Sequence, residues 1–232
     1  MTLLFDLPRT PVIPLVDEQA AFPVNRIFCV GRNYEAHAKE MGFSADREAP
    51  FYFCKTPSAI CHSGAIIPYP PGTENCHYEM ELVVAIGAPA FRIAAAEAMS
   101  VVLGYACGLD LTRRDLQFAA RDKGRPWDLG KDFENAAVIG PITRAAAFGP
   151  LEEQAIRLTQ NGDVRQEGLL SDLIWTVPEL ISHLSGYYHL KPGDLIYTGT
   201  PAGVGPIAPG DALVGTIDGL VPVELKIGPS ET

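Results

Sequence analysis

The chain has 232 residues, of which 47% are hydrophobic and 20% charged, and it carries a formal charge of −10. That composition excludes global disorder, and the length allows one sizeable domain or two cramped ones. The acidic balance argues against nucleic acid or an anionic membrane as the main partner, whereas a small anionic substrate needs only a local cation.

Residues 1–25 are interrupted by proline and read as an N-terminal arm; Asp6 and Pro8 stand where a signal peptide wants basic and then apolar residues. No composition break follows, so residues 26–232 are expected to form a single domain. Arg26–Val30 reads as a strand. Asn33 is placed to cap a short helix, Tyr34–Met41, with Gly42 to close it. Asp46–Pro50 reads as loop, Phe51–Lys55 as strand, Pro68–Gly72 as a rigid bend, and Glu79–Ile86 as a strand with a Val-rich centre. Leu82–Phe91 is uncharged but half the length that spans a bilayer, so no transmembrane helix is expected. Ala94–Met99 reads as helical, and Val101–Thr112 is a long apolar run with a helix start near Arg113. Asn161-Gly162 and Asp218-Gly219 each sit between alternating runs, a strong hairpin signal. Pro178–Tyr187 predicts a helix with proline at its start. Lys191–Asp194 and Ala208–Asp211 repeat one turn, with a strand, Leu195–Thr198, between them. Strands, hairpins and few short helices predict an α+β fold with a large mixed sheet.

Five cysteines, an odd number with no C-x-x-C pair, predict reduced thiols and a cytoplasmic setting. Cys54, Cys61-His62 and Cys76-His77 fit no usual zinc spacing and read as buried packing thiols. Gly203–Ala208 imitates a dinucleotide-binding fingerprint, but Pro206 and Pro209 deny it the helix that motif must open. Neither a phosphate-binding loop nor a G-x-S-x-G nucleophile elbow occurs.

Glu79 and Glu81 lie two apart at the opening of a predicted strand, so their carboxylates point the same way. Like charges at that distance are costly unless a cation lies between them. Asp110 ends the apolar run and is placed to join them. Three carboxylates without His or Cys make a hard oxygen site for Mg²⁺, Mn²⁺ or Ca²⁺. The same spacing also describes two solvated glutamates and an ordinary strand-end aspartate. His37 and Glu40 are three apart on one helical face. A histidine oriented by a carboxylate can act as a general base near neutral pH; a chance pair on an exposed helix has the same spacing.

Taken in order, Phe28–Glu40 (FCVGRNYEAHAKE), Phe53–Ser58 (FCKTPS), His77–Glu81 (HYEME), Gly108–Gln117 (GLDLTRRDLQ), Gly130–Phe133 (GKDF) and Tyr197–Gly205 (YTGTPAGVG) resemble the fumarylacetoacetate hydrolase family. The resemblance runs from about residue 26 to the end, and the short length with His37-x-x-Glu40 is most similar to the single-domain acylpyruvase branch. It implies a β-rich roll with a lid helix, a homodimer, and a place in aromatic catabolism. By position it implies Glu79, Glu81 and Asp110 as ligands of Mg²⁺ or Mn²⁺, His37 and Glu40 as a water-activating dyad, and Lys131 as an oxyanion-stabilising lysine. Gln117 and Thr200 match contacts to the carboxylate or keto end of the substrate, while Arg32, Lys55 and Arg114 either bind substrate anions or brace loops. The implied activity is hydrolysis of a C–C bond in a 2,4-diketo acid such as fumarylpyruvate, giving pyruvate and a carboxylic acid. Its pyruvate half can leave as an enolate stabilised by the metal. Oxaloacetate decarboxylation, hydroxymuconate-type isomerisation or tautomerisation, and an inactive metal-binding paralogue are the alternatives. Acyl specificity is expected from residues around Phe43–Tyr52.

Overall fold

Apolar runs bounded by turn residues become strands throughout the computed structural model, which describes residues 4–6, 8–40 and 47–231. In chain order the strands are β1 (Val12–Pro14), β2 (Ala21–Pro23), β3 (Arg26–Val30), β4 (Tyr52–Lys55), β5 (Ile60–His62), β6 (Ala65–Pro68), β7 (Cys76–Tyr78), β8 (Met80–Ile86) and β9 (Val102–Asp110). There follow β10 (Thr112–Arg113), β11 (Ala137–Ile139), β12 (Thr143–Arg144), β13 (Ala155–Gln160), β14 (Asp163–Leu169), β15 (Asp194–Tyr197), β16 (Gly205–Pro206), β17 (Ala212–Ile217) and β18 (Val223–Gly228). The α-helices are short: α1 (Glu35–Glu40), α2 (Arg114–Arg121), α3 (Asp128–Lys131), α4 (Ala145–Phe148) and α5 (Val177–Ser185).

The main sheet has the order β4–β3–β15–β8–β9–β11–β5, with β12 paired to β9. It is mixed, since β15 runs parallel to β3 and β11 parallel to β5, while β8 and β9 pair antiparallel. A second sheet, β14–β13–β17–β18–β6, packs β13 on β8 and β17 on β9. A small sheet, β10–β7–β16, leads into β8. The central strands are covered on both faces, and every residue of β8 is buried. That explains its unbroken apolar centre, Leu82–Ile86, where a half-exposed strand would alternate. The predicted α+β mixed-sheet roll is the fold observed.

The repeated turn is one structure used twice. Lys191 and Ala208 N–H each donate to the aspartate three residues on, Asp194 Oδ2 at 2.9 Å and Asp211 Oδ2 at 2.7 Å. Gly193 and Gly210 take the positive φ that closes each turn (99° and 98°). Asn161-Gly162 forms the β13–β14 hairpin with both residues at positive φ, as a tight primed turn requires. Asp218-Gly219 also joins antiparallel strands, but the connection extends to Pro222, whose missing N–H delays the next strand to Val223. Helix α5 begins with a capping box, Thr176 with Glu179, and ends at Ser185, earlier than its apolar pattern predicts.

Three local expectations are corrected. Residues 95–101 are a 3₁₀ helix with no side-chain cap, running straight into β9, where a helical segment over 94–99 was expected. Asn33 spends its side chain on Trp175 and Thr198 of other segments. Cys29, Cys61, Cys76 and Cys107 are buried free thiols, but Cys54 is exposed at the edge strand β4. Met41 and Gly42, the expected close of the first helix, lie outside the described residues, as do residues 43–46 of the expected specificity segment. Residues 12–24 supply the β1–β2 pair and bury Ile13, Leu15, Phe22 and Val24 against the body. No helix among the described residues is long and apolar enough to cross a membrane.

Candidate metal centre

Strand register brings the acidic residues together. In the β8–β9 pair Glu81 stands opposite Gly108. Opposed residues share a face, as do residues two apart, so Glu81 and Asp110 point to one side. The Glu79 carbonyl accepts from Asp110 N–H at 2.9 Å, which carries the pairing one step further. One carboxylate oxygen from each of Glu79, Glu81 and Asp110 lies within 4.8 Å of the others, and all three residues are buried. Gly108 has to be small, because a Cβ there would stand 2.5 Å from Val83 Cγ2 and 2.8 Å from Tyr197 Cε1.

Buried carboxylates are tolerable only with partners. Lys131, at the end of α3, donates from Nζ to Glu79 Oε2 and Asp110 Oδ2, each at 2.7 Å, and to Thr112 Oγ1 at 2.6 Å. Arg114, opening α2, donates to Glu79 Oε1 at 2.5 Å and to Gln117 Oε1 at 2.6 Å. Lys55 Nζ donates to the Leu111 and Lys131 carbonyls and lies 2.8 Å from Asp110 Oδ1. That last contact is an ion pair without hydrogen-bond alignment, so Asp110 Oδ1 is a buried oxygen with no donor. Three buried cations thus face three buried carboxylates, and an added divalent ion would make the pocket attractive to an anionic substrate.

The charges are unevenly shared. Burial alone would raise the Glu79 carboxyl, but Lys131 and Arg114 override it and hold the group well below the usual range. Burial, then Asp110 and Glu79, push the Glu81 carboxyl well above it, against the single backbone donor Gly199 N–H at 2.8 Å. Lys131 stays an ammonium: burial pulls its pKa down, but Asp110 and Glu79 raise it further. The cluster therefore lacks positive charge at Glu81 and a donor at Asp110 Oδ1. A divalent cation among the three oxygens would balance the charge at Glu81 and take the Asp110 Oδ1 lone pair by coordination, and an all-carboxylate donor set suits a hard ion such as Mg²⁺ or Mn²⁺.

His37 on α1 is buried, with Nδ1 3.3 Å from Glu40 Oε2. Burial lowers its pKa below the ordinary histidine value, partly offset by Glu79 and Glu40, so it lies within electrostatic reach of the carboxylate cluster. The Glu40 carboxylate also accepts from Gly203 N–H at 3.1 Å. Gly203 is required there: its φ is +94°, and a Cβ would collide with the Arg165 carbonyl. Thr200 is buried one residue after Gly199, the donor to Glu81. Arg32 stands over the Phe51 ring, with 5.1 Å from Cζ to the centroid. The fold thus gathers Glu79, Glu81, Asp110, Lys131, Lys55, Arg114 and Gln117 into one contact network, with His37 within electrostatic reach of Glu79 and Thr200 next to the Gly199 that holds Glu81. Thr112, Gly199, Gly203 and Asn33 are supporting residues that sequence reasoning missed; each acts through a partner distant in the chain or through backbone.

Residues 26–228 match the family model described as fumarylacetoacetate (FAA) hydrolase, C-terminal. A fumarylpyruvate hydrolase from Ralstonia sp is 51% identical over 193 residues, 82% of this chain and 100% of the relative. An oxaloacetate tautomerase from Escherichia coli is 39% identical over 199 residues, 85% of this chain and 90% of the relative. Among solved structures, the fumarylpyruvate hydrolase of Pseudomonas aeruginosa in complex with Mn²⁺ and pyruvate matches with a TM-score of 0.95 and 44% identity, covering 99% of this chain and 100% of that one. On this evidence the chain belongs to the fumarylacetoacetate hydrolase family.

Proposed function

We propose that the protein is a divalent-metal-dependent hydrolase that cleaves a C–C bond of a 2,4-diketo acid, such as fumarylpyruvate, to pyruvate and a carboxylic acid. The observation that carries this reading is a three-carboxylate centre with a buried His37, paired to the exposed Glu40, within electrostatic reach of it. The Ralstonia and Pseudomonas relatives support it. Glu79, Glu81 and Asp110 would hold Mg²⁺ or Mn²⁺. When bound, such an ion supplies Lewis-acid withdrawal of electrons from the oxo-acid end of the substrate.

The side chains do the rest. Arg114 takes the Gln117 carbonyl oxygen, so Gln117 offers its amide N–H groups to a ligand. Lys55 and Arg114, both buried, add positive charge beneath the substrate, and Arg32 sits on Phe51 as a loop brace. Thr200 faces the carboxylate or keto end. Glu40 holds the proton of His37 on Nδ1 and leaves Nε2 as the basic nitrogen. Nε2 takes a proton from water as the oxygen attacks the C4 carbonyl; the bond between C3 and C4 breaks, C3 leaves with the electron pair as part of the pyruvate half, and a proton returns to C3 as His37 is restored to its neutral form. The Lys131 ammonium places fixed positive charge where negative charge grows.

Two expected outcomes follow from this assignment. Lys131→Met should lower kcat more than it raises KM, because its charge acts mainly in the transition state; a pure KM effect demotes it to substrate anchoring. His37 must be neutral to act, and its lowered pKa keeps it neutral at every pH above the ordinary histidine value. With saturating Mg²⁺, kcat/KM should therefore stay level as pH falls to about 6.5 and decline only below it. An acid limb centred above that value removes His37 from the role.

The E. coli relative favours a second reading, oxaloacetate tautomerisation, which needs the same centre and a base but no attacking water. Spectrophotometry decides: loss of fumarylpyruvate or acetylpyruvate absorbance with stoichiometric pyruvate supports hydrolysis. Stable diketo acid alongside rapid interconversion of enol- and keto-oxaloacetate supports the tautomerase. The five free thiols fit a cytoplasmic protein, and the family resemblance a homodimer, which light scattering checks.

A further inference from the structure

Strand β14 is an edge strand, exposed or half-exposed along its length except at Gln166, which is fully buried. Its register with β13 explains the exception. Leu158 pairs with Gln166 but Thr159 pairs with Val164, so Arg165 is an extra residue in the ladder. A bulge of this kind re-aims the neighbouring side chain, here from the strand edge into the body. The bulge is seated against Gly203, whose α-carbon packs on the Arg165 carbonyl.

The Gln166 carboxamide ends among three partners. Oε1 accepts from Met80 N–H at 2.9 Å; Nε2 donates to Thr200 Oγ1 and to the Pro201 carbonyl, each at 2.8 Å. This set permits only one orientation of the amide. Flipping it would put two donors together at Met80 and two carbonyl oxygens together at Pro201. Thr200 Oγ1 is therefore the acceptor in its bond with Gln166, and its own proton must be donated elsewhere. Met80 is the residue between Glu79 and Glu81, and Thr200 follows the Gly199 that holds Glu81.

We propose that Gln166 is a positioning residue: by occupying the acceptor side of the Thr200 hydroxyl, it commits the hydroxyl proton to the anionic end of the substrate, with the Met80 peptide as its fixed anchor. This rests on the reading that Thr200 meets the substrate. The polar atoms of Gln166 are taken by Met80, Thr200 and Pro201, so it acts through the direction of one O–H bond.

The test uses the full-length protein loaded with Mn²⁺ and pyruvate as the probe. Pyruvate affinity is read from paramagnetic broadening of its methyl resonance, and Mn²⁺ affinity from the electron spin resonance of the free ion. Gln166→Glu keeps the shape and the acceptor for Met80, but it loses at least one donor and, when ionised, accepts the Thr200 proton. It should weaken pyruvate by about tenfold or more while Mn²⁺ affinity changes little. Gln166→Met should do the same, and Gln166→Glu decides if that variant fails to fold. In a Thr200→Val background, Gln166→Glu should add no further loss of pyruvate affinity. Unchanged pyruvate binding in folded Gln166→Glu, additive losses in the double variant, or an equal loss of Mn²⁺ affinity would each overturn the proposal. If Thr200→Val alone leaves pyruvate unaffected, the substrate reading of Thr200 fails and takes this one with it. If Thr200→Val weakens pyruvate and Gln166→Glu does not, only the role of Gln166 fails.

Discussion

Glu81→Ala is expected to abolish divalent-metal-dependent turnover, lowering kcat/KM by about a thousandfold or more, as the loss of several kcal/mol of transition-state stabilisation implies. The size follows from the position of the side chain. Glu79 is already engaged by Arg114 and Lys131, and Asp110 by Lys131 and Lys55. Among the described residues Glu81 has only a backbone donor, so its carboxylate form is the one a bound ion would stabilise most. The same variant is expected to fold. Removing Glu81 relieves Asp110 and Glu79 of a buried like-charged neighbour, whereas removing Lys131 would strand two carboxylates. Metal titration with the activity assay checks this: turnover near the wild-type level, or unchanged Mn²⁺ affinity, breaks the ligand assignment.

His37→Ala should cost hydrolysis about 10²- to 10⁴-fold, the usual worth of a positioned general base, with Mn²⁺ affinity nearly unchanged. His37 belongs to α1, carried by the segment after Asn33, and its Nδ1 is engaged by Glu40. A large drop in Mn²⁺ affinity would make it a ligand instead. Enol–keto interconversion of oxaloacetate is a useful companion measurement, since a reaction without an attacking water loses its base but not its nucleophile.

The convergence of Glu79, Glu81 and Asp110 is partly legible because strand geometry makes the shared face a local property, though the same spacing also describes solvated carboxylates. Two residues apart means one face, and an acid that ends an apolar run must emerge where that run leaves the sheet. The contact between His37 and Glu40 is legible from three-residue helical spacing, while the role of the pair came from the family resemblance. The charges that hold the triad are not legible from spacing. Lys55, Arg114 and Lys131 lie on β4, α2 and α3, and only the closed fold brings them to Glu79 and Asp110; the family resemblance pointed to them, and spacing did not. Asn33 shows the limit of capping rules. Its carboxamide bonds Trp175 and Thr198, 142 and 165 residues away, which no local pattern encodes. Gln166 is harder still. It sits in a polar stretch with no apolar face to reveal register, and a one-residue bulge turns it inward.

Anomalous diffraction from crystals grown with Mn²⁺ tests the central claim most directly. A single strong manganese peak should appear within coordination distance of carboxylate oxygens from Glu79, Glu81 and Asp110, with His37 beyond bonding reach. A peak elsewhere, or one ligated by His37, would contradict it.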